Sequence, residues 1–351
     1  MKTKIFVMTH KKFDPPGDRV YVPLQVGRAL GEDLGYLGDD TGDHISEQNP
    51  YYGELTGVYW LWKNCPDVDI AGVCHYRRYF LNEQGELMTQ EEYETALENA
   101  DVLVPRAMQA EGAYRDYFAK AHHLSDLLLT GEVIQEIYPD DYPVFCDVMN
   151  QSRYYYGNLC VMRKNLFDQY CGWLFSICAE LEKHVDVSGY DCYHQRLFGF
   201  LSEELLMVFL TARGLRVKEE RVGVTAEKAE TTEFKLAMSQ LIRMGEFTEA
   251  REMFYQYLKI RPDIQLELSD VRREIPDIEL ILYILEQEKT MGVRGFYEVS
   301  HQLRELIDHI RVLRAIVRKE KDGQVLTASE QSYLQEKYVT DLAKEVIRIN
   351  L

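Results

Sequence analysis

The feature that most constrains the fold is a change of periodicity near residue 225. Before it, short apolar runs of strand type alternate with stretches whose apolar residues recur at helical spacing. After it, the pattern is helical to the last residue. This alternation predicts an α/β domain with a mixed, mostly parallel sheet over residues 1–225, followed by an all-helical C-terminal extension over residues 226–351.

The elements of the first domain can be placed from the same pattern. Strands are predicted at 4–9, 69–80, 101–105, 158–163 and 215–224. Helices are predicted at 50–64, 89–99, 125–138, 142–154, 165–185 and 200–213, the second of them opened by a Thr89–Glu92 capping box. Ligands of α/β sheets bind beyond the carboxyl ends of the strands. Residues 9–12 and 75–79 follow two such ends, so we expect a site there.

Charge and cysteine content narrow the class of protein. The net charge of −18 repels nucleic acid, so we expect no nucleic-acid partner. Seven cysteines, an odd number without a Cys-x-x-Cys pair, are typical of reduced thiols. We find no apolar run of about 20 residues and no signal-peptide pattern at the start. We therefore expect a cytoplasmic protein.

Several familiar catalytic motifs do not occur in the sequence. It contains no Gly-x-Gly-x-x-Gly after a strand, no Walker A loop, no Gly-x-Ser-x-Gly elbow and no His-Glu-x-x-His. These absences disfavour a dehydrogenase, a P-loop kinase, an α/β-hydrolase and a zinc peptidase. Three polar blocks rich in aromatic residues remain as carriers of function.

The first block is Leu37–Asn64, a polar turn that leads into a predicted helix. Its side chains include carboxylates, an amide and a hydroxyl that can accept hydrogen bonds from ribose or sugar hydroxyls. The candidates are Asp39, Asp43, Asn49, Glu54 and Thr56. A capped helix with a solvated acidic loop explains the same composition, and composition alone favours that explanation.

The second block is Gly72–Phe80, where a buried strand leads to His75, Arg77 and Arg78. Guanidinium groups match phosphate oxygens bidentately, so adjacent arginines suit a diphosphate. Side chains of neighbouring strand residues alternate in direction, which predicts that one arginine contacts the ligand directly. From the residues alone, a structural role and a ligand-binding role are equally well supported for this block.

The third block is Gly189–Leu210. Ser202 is a candidate helix cap, with Glu203 and Glu204 in a first turn where the helix dipole favours carboxylates. The functional alternative is a general base that deprotonates an acceptor hydroxyl. Asp191 and Arg196 precede the helix and are candidates for orienting the substrate.

Taken together, these segments resemble a family of bacterial proteins long described as a domain of unknown function. Its members occur in gene clusters for capsule, exopolysaccharide and lipopolysaccharide, and some resemble galactofuranosyltransferases. The resemblance covers about residues 1–225, and no single segment would be specific. The matching segments are Thr9–Lys11, Gly38–Ser46, Glu54–Asn64, His75–Phe80, Phe167–Phe175 and Arg196–Leu205.

The resemblance implies a GT-A-like nucleotide-sugar-binding domain. In that frame Thr9, His10 and Lys11 hold the nucleobase, and the Asp39–Thr56 block borders the ribose and the donor sugar. Where many such enzymes carry a metal-binding Asp-x-Asp, this chain has His75, Arg77 and Arg78. We expect these side chains to replace the metal, so no cofactor is required. An Asp67-Val68-Asp69 triplet precedes the strand and is interpreted as a loop, so Mn²⁺ or Mg²⁺ has no well-placed ligands.

The leading hypothesis is therefore transfer of a sugar, galactofuranosyl among the candidates, from a UDP donor to a hydroxyl of a surface polysaccharide. Glu203 or Glu204, with Asp191, would be catalytic, and Asn158 and Arg196 would bind the acceptor. An inverting reaction needs the base and a retaining one does not. The alternative is a silent sugar- or nucleotide-binding scaffold that recruits partners through its helical extension. A nucleotidyltransferase is disfavoured because the first loop lacks a glycine-rich phosphate site.

The extension carries one strongly amphipathic segment, 299–318, with a cluster of cations at its end. Packing within its own domain is the favoured interpretation, with the cations stabilised by the helix dipole. There are two alternatives. The segment could contact the surface of the membrane that carries a lipid-linked acceptor, or it could form a homodimer.

Overall fold

The computed structural model describes residues 1–261, 264 and 269–351. The chain divides into two compact units, Met1–Thr225 and Ala226–Leu351. The division falls where the periodicity of the sequence changes.

The first unit is built on an eight-stranded sheet and a separate strand pair. The eight strands are β1 (Thr3–Thr9), β2 (Tyr21–Gln25), β3 (Leu37–Gly38), β4 (Ile70–His75), β5 (Arg78–Leu81), β6 (Val102–Pro105), β9 (Cys160–Arg163) and β10 (Val217–Val224). The strand pair consists of β7 (Met108–Gln109) and β8 (Arg153–Tyr154).

The sheet is mixed, as the alternation predicted. β3, β2, β1 and β4 are parallel, and β6 and β10 are parallel. β9 lies antiparallel between β4 and β6, while β5 pairs antiparallel with β10 and with the end of β4. The pairings β4–β9–β6–β10–β5–β4 form a closed ring. Within this sheet four pairings are parallel and four are antiparallel, because β5 and β9 both run against their neighbours, so the mostly parallel sheet expected from the sequence is not observed.

Helices cover the sheet of the first unit. They are α1 (Asn49–Tyr52), α2 (Leu55–Asn64), α3 (Gln90–Asn99), α4 (Tyr114–Phe118), α5 (Leu124–Ile137), α6 (Tyr142–Asn150), α7 (Lys164–Leu181) and α8 (Leu197–Ala212). Strand alternation sorts the core into two sides. Phe6 and Met8 of β1 pack in one apolar cluster, while Ile5 and Val7 pack in the other, which includes residues of α3.

Three differences from the sequence-based elements matter for the site. The helix expected at 50–64 is broken at Gly53, whose φ of +56° suits glycine, so Glu54 directly precedes α2. The helix expected to reach residue 154 ends at Asn150 and is followed by β8. Helix α8 begins at Leu197, so Ser202 is not its cap. Glu203 consequently lies in the second turn, and the first-turn dipole explanation is wrong.

The capping box at the start of α3 is confirmed. The hydroxyl of Thr89 accepts a hydrogen bond from the Glu92 amide, and the Glu92 carboxylate accepts one from the Thr89 amide.

The second unit is helical in its described residues. Its helices are α9 (Ala229–Met244), α10 (Phe247–Ile260), α11 (Ile275–Met291), α12 (Phe296–Val299), α13 (Leu303–Lys321), α14 (Ala328–Glu336) and α15 (Asp341–Ile349).

The amphipathic stripe of α13 packs inside its own unit, as the favoured interpretation had it. Leu306, Ile310 and Leu313 are fully buried there. Much of the cation cluster at its end is paired within the unit. Arg311 and Arg314 each lie 2.7 Å from a carboxylate oxygen of Asp277, and Lys319 Nζ lies 2.6 Å from Glu330 Oε1.

None of the helices in the described part of the chain has both the length and the hydropathy needed to cross a membrane.

Candidate active site

A group of polar side chains meets at the carboxyl edge of the sheet. β4 ends at His75, and the turn after it leads to Arg78 at the start of β5. Glu54 precedes α2, Asn158 lies in the turn before β9, and Arg196 directly precedes α8. Five separate segments therefore bring one charged or amide side chain each to the same place, where the sequence predicted a ligand site.

Glu54 lies at the centre of this group. Its side chain is buried, and its Oε1 accepts a hydrogen bond of 2.9 Å from Asn158 Nδ2. His75 Nε2 lies 3.8 Å from Oε1, and Arg196 Nη2 lies 3.5 Å from Oε2. Burial alone would raise the pKa of Glu54, but His75, Arg196 and Asn158 together hold it below its ordinary value. Glu54 is therefore a buried carboxylate that stays ionised.

His75, the other member of this pair, has a lowered pKa. Burial, reinforced by the charges of Arg78 and Arg77, lowers the pKa of His75 to about 4, although Glu54 opposes the shift. Its Nε2 has no hydrogen-bond partner among the described residues. We therefore expect His75 to offer a ligand a hydrogen bond, while the positive charge of this edge comes from the arginines.

Arg78 is almost fully buried, which is unusual for a guanidinium group. Its Cζ lies 4.6 Å from the centroid of the Tyr156 ring, and Nη2 donates a hydrogen bond of 3.1 Å to the Tyr156 hydroxyl. Within the described part of the chain its Nε has no partner. A buried cation with an unsatisfied donor is suited to an anionic ligand.

Arg77, the other arginine of the pair, lies in the turn between the strands. Its side chain is also buried, and its carbonyl accepts a hydrogen bond of 2.9 Å from the Thr225 amide. This backbone contact ties the turn to the residue that follows β10.

The two neighbouring glutamates of α8 differ in their surroundings. Glu203 is half-buried and faces the cluster, since Glu54, Arg78 and Arg196 all act on it. Burial and the Glu54 carboxylate raise the pKa of Glu203 to about 8, against the effect of the two arginines.

Glu204, by contrast, is completely buried, and neither carboxylate oxygen has a partner among the described residues. It lies near Tyr114 and Tyr155, and burial raises the pKa of Glu204 well above the ordinary range. Of the two candidates for a base, only Glu203 faces this cluster of charged side chains.

Asn158 was expected to bind the acceptor, but its side chain is already fully engaged. Besides the bond to Glu54, its Nδ2 donates to the Gly199 carbonyl at 3.1 Å. Its Oδ1 accepts a hydrogen bond of 2.9 Å from the Ser202 hydroxyl. Both amide hydrogens are used, so Asn158 has no donor left for an acceptor sugar.

Most of the residues that were predicted to border the donor sugar stabilise the loop in which they lie. Asp39 is buried and accepts hydrogen bonds from the Gly27 amide at 2.8 Å and the Ser46 hydroxyl at 2.5 Å. Asp43 accepts a hydrogen bond from the Tyr59 hydroxyl. The structural explanation therefore fits these two aspartates, and Glu54 is the carboxylate of this block that reaches the cluster.

Asn49 and Thr56 stabilise the bend that places Glu54. Asn49 Nδ2 donates to the Gly53 carbonyl at 2.7 Å and to Thr56 Oγ1 at 3.2 Å. A side chain at Gly27 would lie 2.6 Å from Asn49, so the loop packs closely against this bend. Asn49 and Thr56 therefore contribute to the site by holding the bend that positions Glu54.

Asp191 organises its own turn. It accepts hydrogen bonds from the amides of Tyr193 and His194 and lies 2.6 Å from His194 Nδ1. These contacts, and a largely exposed side chain, explain its conformation without a role in the cluster.

The end of β1 also carries predicted donor-binding residues. The Thr9 hydroxyl donates a hydrogen bond to the Lys11 carbonyl at 2.6 Å and closes a local turn, and Lys11 itself is exposed. The His10 ring lies edge-on to Tyr76, with centroids 5.6 Å apart.

Aromatic side chains near this strand end were not anticipated from the sequence. The Phe13 ring lies 5.5 Å from Tyr36 and 6.0 Å from Tyr76. The Tyr36 hydroxyl also bonds the Phe13 backbone. Tyr156 was missed as well, although three consecutive tyrosines before Gly157-Asn158 mark that segment in the sequence.

The described residues contain no group of three or more His, Cys, Asp or Glu side chains with the geometry to hold a metal ion. Asp67 and Asp69 precede β4, as the sequence indicated, and Asp69 accepts a hydrogen bond from the Lys2 amide.

The fold and the cluster define an α/β unit that concentrates buried, oppositely charged groups at the ligand-binding edge of its sheet. The chain belongs to the family described as "Domain of unknown function (DUF4422)", whose model matches residues 4–214. This match confirms the resemblance found in the sequence.

A solved structure adds to this finding. The "WbbM bifunctional glycosytransferase apo structure" is similar to this chain, with 29% sequence identity and a TM-score of 0.58. The match covers 65% of this chain and 46% of that one, so the chain spans less than half the length of its structural neighbour. No curated protein matches the sequence.

Proposed function

We propose that the chain is a glycosyltransferase that moves a sugar from a UDP-sugar to a hydroxyl of a surface-polysaccharide acceptor, with galactofuranose the first donor sugar to test. One observation carries the proposal: the buried Arg78 and the half-buried Glu203 meet at the carboxyl edge of the sheet. Family membership and the likeness to a glycosyltransferase structure support it.

Arg78 suits the stabilisation of a leaving diphosphate. Cleavage of the bond between the anomeric carbon and the diphosphate leaves negative charge on the departing oxygen. A preorganised guanidinium in a site with little water stabilises such charge more than a solvated one does. Tyr156 holds Arg78 by stacking and by its hydroxyl, and Arg77 adds a second positive charge nearby. These residues supply the charge that a bound metal ion supplies in other sites.

Glu203 is the proposed general base. As the acceptor oxygen bonds to the anomeric carbon, its proton passes to the Glu203 carboxylate, which gives an inverting reaction. A base is most effective when its pKa lies near the working pH, and burial places that of Glu203 at about 8. Arg196, partly exposed and 3.5 Å from Glu54, lies where an acceptor can contact it.

The nucleobase is proposed to bind near the end of β1. The rings of Phe13, Tyr36 and Tyr76 provide flat apolar surface there, next to His10. Stacking on such rings is compatible with a planar base.

The proposal is tested by turnover of defined donors. Purified protein is incubated with UDP-galactofuranose, UDP-galactopyranose or UDP-glucose and a lipid-tagged galactoside, and UDP release and product mass are measured. We expect release from at least one donor, and at least a 100-fold lower kcat for Glu203→Gln. Tight UDP binding without turnover of any donor would favour the scaffold alternative. Turnover that survives Glu203→Gln would exclude Glu203 as the base.

A further inference from the structure

The turn that joins β8 to β9 has an uncommon backbone. Gly157 and Asn158 both have positive φ values, +89° and +52°. Glycine adopts this region freely, and asparagine is one of the few other residues found there regularly. The pair therefore fits a turn that most other residue pairs would strain.

The side chain of Asn158 has only one orientation compatible with its neighbours. If the amide were flipped, its oxygen would lie against the Glu54 carboxylate and the Gly199 carbonyl, which are both acceptors. The Ser202 hydroxyl donates to Oδ1 and thereby holds the NH₂ group toward Glu54. Three segments, the start of α2, the turn and helix α8, are thus joined through one buried amide.

The backbone of the same turn contacts the other two charged groups of the cluster. A side chain on Gly157 would place its Cβ 2.9 Å from Arg78 Nη1, so only glycine lets the guanidinium approach this closely. The Gly157 backbone also forms a hydrogen bond with Glu203. One two-residue turn therefore borders Glu54, Arg78 and Glu203 together.

We propose that the Gly157–Asn158 turn is the positioning element of the site, and that Asn158 is a positioning residue that fixes the Glu54 carboxylate between His75 and Arg196. Asn158 acts through Glu54 and does not touch the substrate. The inference rests on the proposed glycosyl transfer for its kinetic consequence. The hydrogen bond itself can be tested without turnover.

Fixing Glu54 matters because several charged groups depend on its position. The pKa values of His75, Arg78 and Glu203 are all affected by the charge of Glu54, and Arg196 Nη2 lies 3.5 Å from its carboxylate. If the carboxylate is free to move, Arg196 and His75 lose a fixed partner. Misplacement of such groups by about 1 Å costs up to about 100-fold in rate. The nucleotide contacts proposed at β1 would remain intact.

The first test compares Asn158→Gly with the wild type. Glycine keeps the positive φ of the turn and removes the whole side chain, with its bonds to Glu54, Gly199 and Ser202. We expect kcat to fall about 10- to 100-fold, with the KM for the UDP-sugar within about twofold of its original value. An unchanged kcat in a folded Asn158→Gly protein would contradict the proposal.

The second test uses Asn158→Asp, which keeps the shape of the side chain. When the new carboxyl is protonated, its O–H can donate to Glu54, and when it is ionised, two carboxylates repel each other at about 3 Å. We therefore expect the ratio of variant to wild-type kcat to fall as the pH rises from 5.5 to 8.5. A purely structural role would give a constant ratio. The matched control is Asn150→Asp, an exposed asparagine of α6 that bonds the Cys146 carbonyl, and its ratio should stay near one.

Thermal unfolding separates failure of this proposal from failure of the proposed function. The difference in melting temperature between Asn158→Asp and the wild type should widen as the pH rises, whether or not any donor is turned over. If the wild type turns over no donor but this widening is seen, the glycosyltransferase proposal fails and the contact with Glu54 stands. If turnover is normal and neither the kcat ratio nor the melting difference depends on pH, Asn158 does not position Glu54.

Discussion

In the helical unit, the buried ammonium group of Lys235 lies 2.6–2.9 Å from carboxylates of Glu227, Asp270 and Glu274. At the carboxyl edge of the sheet, by contrast, Arg78 is buried with an unsatisfied Nε and Glu204 with two unsatisfied oxygens, as judged over the described residues. Both units thus bury polar groups, but Lys235 is surrounded by partners, whereas Arg78 and Glu204 keep atoms without one.

The contrast separates two uses of buried polar groups. Paired charges such as Lys235 join helices, and their removal should cost stability. A buried charge without a full set of partners lowers stability. Such a group is retained where a bound ligand can provide the missing partner. Substitutions of the buried groups in each unit test this difference.

The largest expected effect concerns stability in the helical unit. Lys235→Met leaves the buried carboxylates of Asp270 and Glu274, and the partly buried one of Glu227, without their cation, and we expect the unit to lose about 3–5 kcal/mol of stability. Differential scanning calorimetry of the full chain measures this loss. Lys183→Met removes an exposed lysine paired with Glu180 and serves as the control, with a change below about 0.5 kcal/mol. Equal effects of the two substitutions would contradict the stabilising role of Lys235.

At the carboxyl edge the main effect should be on activity. Arg78→Met should lower kcat/KM at least about 100-fold, because the charge facing the diphosphate is lost. Its stability should change by less than about 1 kcal/mol, since Nε is already unsatisfied and methionine fills much of the space. Steady-state kinetics and urea unfolding measure the two effects. Arg216→Met, which breaks an exposed ion pair with Asp101, is the control and should leave kcat/KM unchanged.

The pH dependence of the reaction tests Glu203. A general base must be deprotonated, and the pKa of Glu203 is raised to about 8. The rate should therefore rise with pH by roughly 50-fold from pH 6 to pH 8 and level off above it. A profile of kcat/KM against pH, which reports the pKa of the free enzyme, measured at constant ionic strength checks this. A flat profile over that range would remove Glu203 from the role of base.

The sequence predicted the architecture better than the residues of the site. Alternating apolar runs are enough to indicate strands and helices, and adjacent strand ends indicate where a ligand binds. The break at Gly53 and the start of α8 at Leu197 depend on tertiary packing, which periodicity does not encode. For the same reason, Asp39 and Asp191 were predicted as site residues although their carboxylates stabilise local turns. Tyr156 was missed because its stacking on Arg78 joins segments 78 residues apart.

A smaller effect is expected for the unsatisfied carboxyl of Glu204. Its pKa in the folded protein is raised, so the folded state keeps a proton that the unfolded chain releases. The resulting penalty is absent near pH 4.5 and grows as the pH rises. Glu204→Met should therefore gain stability over the wild type by about 1–2 kcal/mol between pH 5 and pH 8. Urea unfolding at both pH values measures this, with the exposed Glu136→Met as a control that should show no such gain.

The central claim is that the basic edge of the sheet binds a nucleoside diphosphate with its own side chains. The most direct test is thermal unfolding of the wild type and of Arg78→Met during titration with UDP, with EDTA and then with Mn²⁺. A ligand that binds only the folded state raises the melting temperature. We expect UDP to stabilise the wild type in EDTA and to have little effect on Arg78→Met. Stabilisation that requires Mn²⁺, or that is equal in the two proteins, would contradict the claim.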